Sequence, residues 1–144
     1  MSSLPYIELH CHSGFSFLDG ASHPEELVLQ AKELGYPALA LTDHNGLYGS
    51  MEFARAAKEE GLQPITGAEV SIDATTVPGL EGFGVEAVSP DIGFHVTLLA
   101  ETPRGYANLC RLLTQAHMEA EDRRNPLLPF PTLQDPERIR GLIL

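Results

Sequence analysis

The stretch "PALALTDHNG", residues 37–46, decides how the chain is read. Four apolar residues, Ala38 to Leu41, follow a proline and run into Thr42-Asp43-His44, after which Asn45-Gly46 turns the chain. A short apolar run bounded by such punctuation reads as a buried strand, here over 37–43. On its N-terminal side, Leu27, Val28, Ala31 and Leu34 form an apolar stripe that predicts a helix over 23–34. Ser22 with Glu25 makes a capping box, Pro24 suits a first helical turn, and Gly35 ends the segment. On its C-terminal side, Leu47 to Glu60 predicts a second helix closed by Gly61. QPITGAEVSI, residues 63–72, reads as the strand that follows.

Further out, PYIELHC (5–11) alternates, with Ile7, Leu9 and Cys11 on one face and Tyr6, Glu8, His10 and His12 on the other. This is expected to be a first strand. Strand, helix, strand, helix, strand with short links implies parallel strands and right-handed crossovers, an α/β sheet or barrel. After Ile72 the pattern breaks: residues 73–93 hold Pro78, Gly79, Gly82, Gly84, Pro90 and Gly93 and show no helical stripe. FHVTLLA (94–100) predicts a fourth strand, antiparallel to its predecessor because no helical crossover intervenes. Pro103 to about Arg123 predicts a long helix with Tyr106, Leu109, Leu112, Leu113, Ala116 and Ala120 facing inward. A proline-rich link (126–136) leads to Gly141-Leu-Ile-Leu144, the beginning of a strand.

A closed parallel barrel takes roughly 250 residues and eight strands. The 144 residues here supply four or five, so residues 1–144 are expected to be the N-terminal portion of one larger domain. An open barrel leaves an unpaired sheet edge, through which copies of the chain would associate.

Composition excludes several roles. The net charge is −11 with nine Lys and Arg, which opposes a strong grip on nucleic-acid phosphates. No apolar run approaches the ~18–20 residues of a membrane span, and no leader is visible, so a cytoplasmic chain without membrane contact is expected. Cys11 and Cys110 fit neither a disulfide framework nor a zinc-finger spacing, and each reads as a small buried hydrophobe. Arg123-Arg124 reads as the solvated tail of a helix. An acidic chain still acts on phosphate when a bound cation supplies the positive charge.

Active sites of parallel α/β proteins lie at the carboxyl ends of the strands, and polar residues close each strand here. His10 and His12 end the first, His44 lies just past the second on the face of Ala38, Ala40 and Thr42, and Glu69 closes the third. Asp19 follows on the loop after the first strand, and His95 opens the fourth. Imidazole with carboxylate is a donor set for Zn, Mn or Fe, and mixed sites hold two or three ions about 3.5–4 Å apart. Such ions clamp a phosphate and acidify water, so hydrolysis of a phosphate ester is implied. Asp43 points away from His44 and reads as a helix-facing group or one supporting a ligand. Glu8, one step deeper than His10, would orient a histidine. His23 and His117 read as structural. Ser13 and Ser16 lie near histidines, but no Gly-x-Ser-x-Gly elbow frames them. Cys11 faces away from His10 and His12. Metal-activated water remains the candidate nucleophile, and no catalytic side chain beyond the ligands is assigned.

The segments "ELHCHSGFSFLDG", "ALALTDHNGLYG", "PITGAEV" and "HVTLLAETPRGYANLCRLLTQAH" resemble, in order, the N-terminal polymerase-and-histidinol-phosphatase (PHP) domain of bacterial C-family DNA polymerase III alpha subunits, most closely the error-prone branch. The resemblance implies a distorted (β/α)7 barrel with up to three metal ions at its strand ends. It carries ligand roles over to His10, His12, Asp19, His44, Glu69 and, less directly, His95. It also implies that further ligands and the polymerase residues lie beyond Leu144. The chain by itself is then expected to bind metal weakly, to hydrolyse little, and to polymerise nothing. Its partners would be the rest of a polymerase chain and DNA. Two alternatives stand beside the phosphoesterase reading: a non-catalytic module with structural metal, and a stand-alone phosphatase of the histidinol-phosphatase type.

Overall fold

The computed structural model describes residues 6–80 and 94–144. The chain forms two compact units, residues 1–68 and 69–144. Strand β2 (Gln63–Asp73) begins in the first and ends in the second.

The first unit is built on the 37–46 stretch. Strand β1 (Ala38–Leu41) is buried at all four positions and pairs in parallel with the opening of β2, from Ala38 opposite Gln63 to Leu41 opposite Thr66. Helices α1 (Pro24–Glu33) and α2 (Ser50–Glu60) supply the crossovers and pack on each other. Val28, Ala31, Leu39, Leu41, Phe53, Ala56, Ala57 and Leu62 make one core between them. Phe53 is fully enclosed, and burying a side chain of that size contributes roughly 1.5–3 kcal/mol. Gly61 ends α2 at φ 69°, a left-handed conformation natural to glycine.

Three expectations need correction in this unit. The capping box is made one residue later: the His23 backbone N–H donates to Glu26 Oε2 at 2.8 Å, because Pro24 is the first helical residue and the cap must precede it. Leu34 falls just after the last turn of α1 and is exposed. The first strand is reduced to a single parallel bridge between Glu8 and Leu39, extended by the amide of Ala40 donating to Glu8 O and that of Thr42 to Cys11 O. Ile7 and Leu9 are exposed, and of the alternating face only Cys11 packs against the core.

The second unit holds the end of β2, β3 (Phe94–Ala100), β4 (Leu128–Pro129) and β5 (Leu142–Ile143). Strand β4 pairs in parallel with β2 at Ile72 and Asp73, whereas β5 pairs antiparallel with β3 at Leu99 and Ala100. The sheet thus mixes parallel pairs with an antiparallel one, in keeping with part of an α/β barrel. Helix α3 (Pro103–Glu119) starts at Thr102, whose Oγ1 accepts from the Gly105 amide at 3.0 Å. It buries Leu109, Leu112, Leu113 and Ala116 near Leu98 and Leu128.

Several readings shift here too. Tyr106 is exposed, and the buried polar residue of the helix is Asn108, whose amide donates to the carbonyls of Glu137 and Arg140 at 3.1 and 3.0 Å. These bonds tie α3 to helix α4 (Pro136–Ile139). Helix α3 stops at Glu119, so Arg123 and Arg124 lie beyond it, with Arg124 paired to Asp122. The proline-rich link is ordered as β4 and a 3-10 segment, Phe130–Gln134. Cys11 and Cys110 are free thiols, half-buried rather than buried. Of the glycine- and proline-rich segment 73–93, a 3-10 turn at Ala74–Thr76 is capped by Asp73, and residues 81–93 lie outside the described residues. Among the described residues, no helix is long and apolar enough to cross a membrane.

Candidate metal centre

In the first unit, His12, Asp19 and His44 each offer a ligand atom, and the three atoms lie within 4.8 Å of one another. Asp19 Oδ2 is shared: it meets His12 Nδ1 and lies 3.1 Å from His44 Nε2. The other ring nitrogen of His12, Nε2, is 3.2 Å from His10 Nε2. The rings are closely set, with centroids 4.9 Å apart for His10 and His12 and 4.3 Å for His12 and His44. Donors around a zinc-sized ion sit about 2.0–2.2 Å from it, so donors a little over 3 Å apart are suitably spaced to close on one. The residues present therefore fit a divalent cation.

In the second unit, Glu69 is buried and His95 Nδ1 lies 3.0 Å from its Oε1. The pair gives the carboxylate a hydrogen-bonding partner, which a buried acid requires. His95 is about one-third exposed.

Electrostatics favours the ionised form of two carboxyls at the cluster, Asp19 and Glu8. Hydrogen bonds from His12, and then from His44, hold the Asp19 carboxyl below the usual aspartate range. The Tyr6 hydroxyl, 2.7 Å from Glu8 Oε2, together with the His10 amide, 3.0 Å from Oε1, lowers the Glu8 carboxyl in the same way. Glu8 therefore braces the backbone of His10. Burial pushes the Cys11 thiol up, which opposes a thiolate role.

Asp43 is almost fully buried, as its placement on an apolar strand end suggests, and it takes three donors. The Ser13 amide donates to Oδ1 at 2.7 Å, the Ser13 hydroxyl to Oδ2 at 2.8 Å, and the Ser16 hydroxyl to Oδ1 at 2.7 Å. These two serines are what reading the sequence missed: weighed as nucleophiles, they are anchors of the loop between His12 and Asp19. The available signal was the combination of small hydroxyls in that loop with one acid on an otherwise apolar strand. Thr42 is tied in similarly, its Oγ1 accepting from the Cys11 amide at 3.0 Å. His23 precedes the first turn of α1 and His117 lies in the last turn of α3.

A mixed α/β sheet thus carries, near its strand ends, a histidine-aspartate cluster with the donor set to hold a metal ion. The PHP domain family matches residues 8–138, and the chain belongs to that family. Among curated relatives, the error-prone DNA polymerase of Symbiobacterium thermophilum is 44% identical over 95% of this chain and 11% of its own length. That of Mycobacterium bovis is 46% identical over 93% of this chain and 12% of its own length. The chain thus spans about a tenth of the length of these relatives. Among solved structures, a Bifidobacterium adolescentis protein assigned as a metal-dependent phosphoesterase superposes with a TM-score of 0.54 at 26% identity, covering 78% of this chain and 33% of that one. A Chromobacterium violaceum amidohydrolase, solved with bound sulfate and no metal, superposes with a TM-score of 0.56 at 30% identity over the same shares.

Proposed function

We propose that this chain contributes metal ligands to a phosphoesterase, His10, His12, Asp19 and His44 from its first unit and Glu69 and His95 from its second. The observation that carries this reading is the convergence of His12, Asp19 and His44 around one carboxylate oxygen. Membership of the PHP family and likeness to a protein assigned as a metal-dependent phosphoesterase support it. A divalent ion held there supplies charge against phosphate oxygens and acidifies water. Imidazole and carboxylate donors suit Zn, Mn or Fe.

The side chains divide the remaining work. Asp19, kept ionised by its two histidine partners, holds negative charge at the cluster throughout the neutral range. Its side chain is 53% exposed, so the donor set is open to a substrate arriving from solvent. Glu8 and Asp43 hold the backbone on either side of the ligands. The substrate class is a phosphodiester or pyrophosphate. The larger context is an error-prone-type DNA polymerase, in which other parts of the polymerase would carry the grip on DNA that so acidic a sequence lacks.

Elemental analysis of the purified chain, before and after chelation, tests the reading beside hydrolysis of bis-p-nitrophenyl phosphate. Metal that copurifies, or rebinds after chelation, and is lost in His12→Ala supports it. Failure to take up Zn, Mn or Fe contradicts it. Metal uptake without hydrolysis in a version extended through the whole domain favours the non-catalytic alternative.

A further inference from the structure

Ser16 connects two elements of the cluster that are far apart in sequence. Its side chain is enclosed, and its hydroxyl donates to Asp43 Oδ1 at 2.7 Å while accepting from the His44 amide at 3.1 Å. Its backbone carbonyl accepts from the amides of Asp19 and Gly20 at 3.1 and 2.9 Å. One residue thus touches the backbone of both His44 and Asp19. Its hydroxyl is fixed by a buried acid, and the same acid secures Ser13, next in the chain to His12.

We propose that Ser16, held by Asp43, is a positioning residue that sets Asp19 and His44 in common register for a cation. Elsewhere in the loop between His12 and Asp19, the Gly14 amide donates to the Ser22 carbonyl at 2.8 Å and the Ser16 amide to the Ser13 carbonyl at 2.9 Å. Phe17 and Leu18 at the loop tip are exposed, and Leu18 adopts a left-handed φ of 67° that a leucine does not favour. The backbone of Asp19 is held from Ser16, with Gly20 packed against Ser13 beside it. Gly20 has no room for a side chain, since a Cβ there would lie 2.0 Å from the Ser13 carbonyl oxygen. Only the effect on metal affinity rests on the metal-site reading.

The test uses the 144-residue chain, with Ser16→Ala compared against Val28→Ala, a core truncation away from the loop. In chelator, amide hydrogen exchange at Asp19, Gly20 and His44 should rise at least tenfold more in Ser16→Ala than the change in global stability explains. Val28→Ala should show no such local excess. With zinc, Ser16→Ala should bind about 10–100-fold more weakly, the usual cost of losing a partner that orients a ligand, while Val28→Ala keeps the wild-type Kd at a lowered Tm. Folded Ser16→Ala with wild-type protection at these amides overturns the proposal. So does wild-type zinc affinity in that variant. A wild-type chain that binds no metal would overturn the proposed function alone, and the exchange data would still decide for or against the Ser16 anchor.

Discussion

Asp19 and His44 are 25 residues apart in sequence, and Asp19 Oδ2 lies 3.1 Å from His44 Nε2. The same oxygen meets His12, so one exposed carboxylate joins the loop after the first extended segment to the end of β1. Its ionisation follows from that position. A carboxyl depressed in the folded state contributes stability above the unfolded value of about 3.9 and loses it as pH falls through the folded value. In chelator, the urea midpoint of the native chain should therefore fall below about pH 4 relative to Asp19→Asn. Parallel acid titrations check this, and curves with the same slope would remove Asp19 from the account.

Asp43 presents a different energetic problem. Replacing it by alanine leaves the Ser13 amide and hydroxyl and the Ser16 hydroxyl without their acceptor in a buried place. Each such orphaned donor costs about 1–3 kcal/mol, so Asp43→Ala should lose roughly 3 kcal/mol or more. Asp43→Asn, which keeps the shape and one carbonyl acceptor, should lose less. Urea unfolding of the two variants measures the difference, and equal losses would contradict the hydrogen-bonding explanation.

Helix α3 offers a prediction against propensity. Alanine is favoured over glycine in helices by up to about 1 kcal/mol, yet a Cβ on Gly105 would lie 1.7 Å from the Gly141 carbonyl oxygen. That oxygen accepts from the Glu101 amide at 3.0 Å, where the chain enters β5 beside β3. Gly105→Ala should thus lower Tm. A thermal melt with raised Tm would show that the contact relaxes freely.

Much of this organisation was legible in the residues. The apolar run of β1, the punctuation at Asn45-Gly46, and Gly61 after α2 follow from local chemistry that tertiary packing did not override. The meeting of His12 and His44 at Asp19 is a tertiary contact, across 25 residues between Asp19 and His44, and local chemistry alone does not dictate it. The first strand was less legible because alternation indicates which residues share a face and not whether anything covers that face; Ile7 and Leu9 remain exposed. The capping frame moved by one residue because Pro24 fixes where the helix begins, which outweighs the Ser22 signal. Asn108 was hidden for another reason. Its partners are carbonyls of α4, about 30 positions away, and no periodicity reports such a bond. Ser13 and Ser16 read in the sequence as hydroxyls near histidines, because their shared acceptor, Asp43, lies 30 and 27 positions away.

In the core of the first unit, Phe53→Ala should cost about 3–5 kcal/mol, because Phe53 is fully enclosed among α1, α2 and β1. It should unfold the unit before it alters the cluster. Chemical denaturation monitored by circular dichroism checks the magnitude, and a loss below about 1 kcal/mol would mean that the site collapses around the cavity.

The central claim is that His12, Asp19 and His44 bind one cation together. Calorimetric titration of zinc into the chelated chain, repeated for His12→Ala, Asp19→Ala and His44→Ala with each variant confirmed as folded, tests it most directly. The account predicts saturable binding by the native chain and at least tenfold weaker binding by every variant. Native-like affinity in all three folded variants would contradict it.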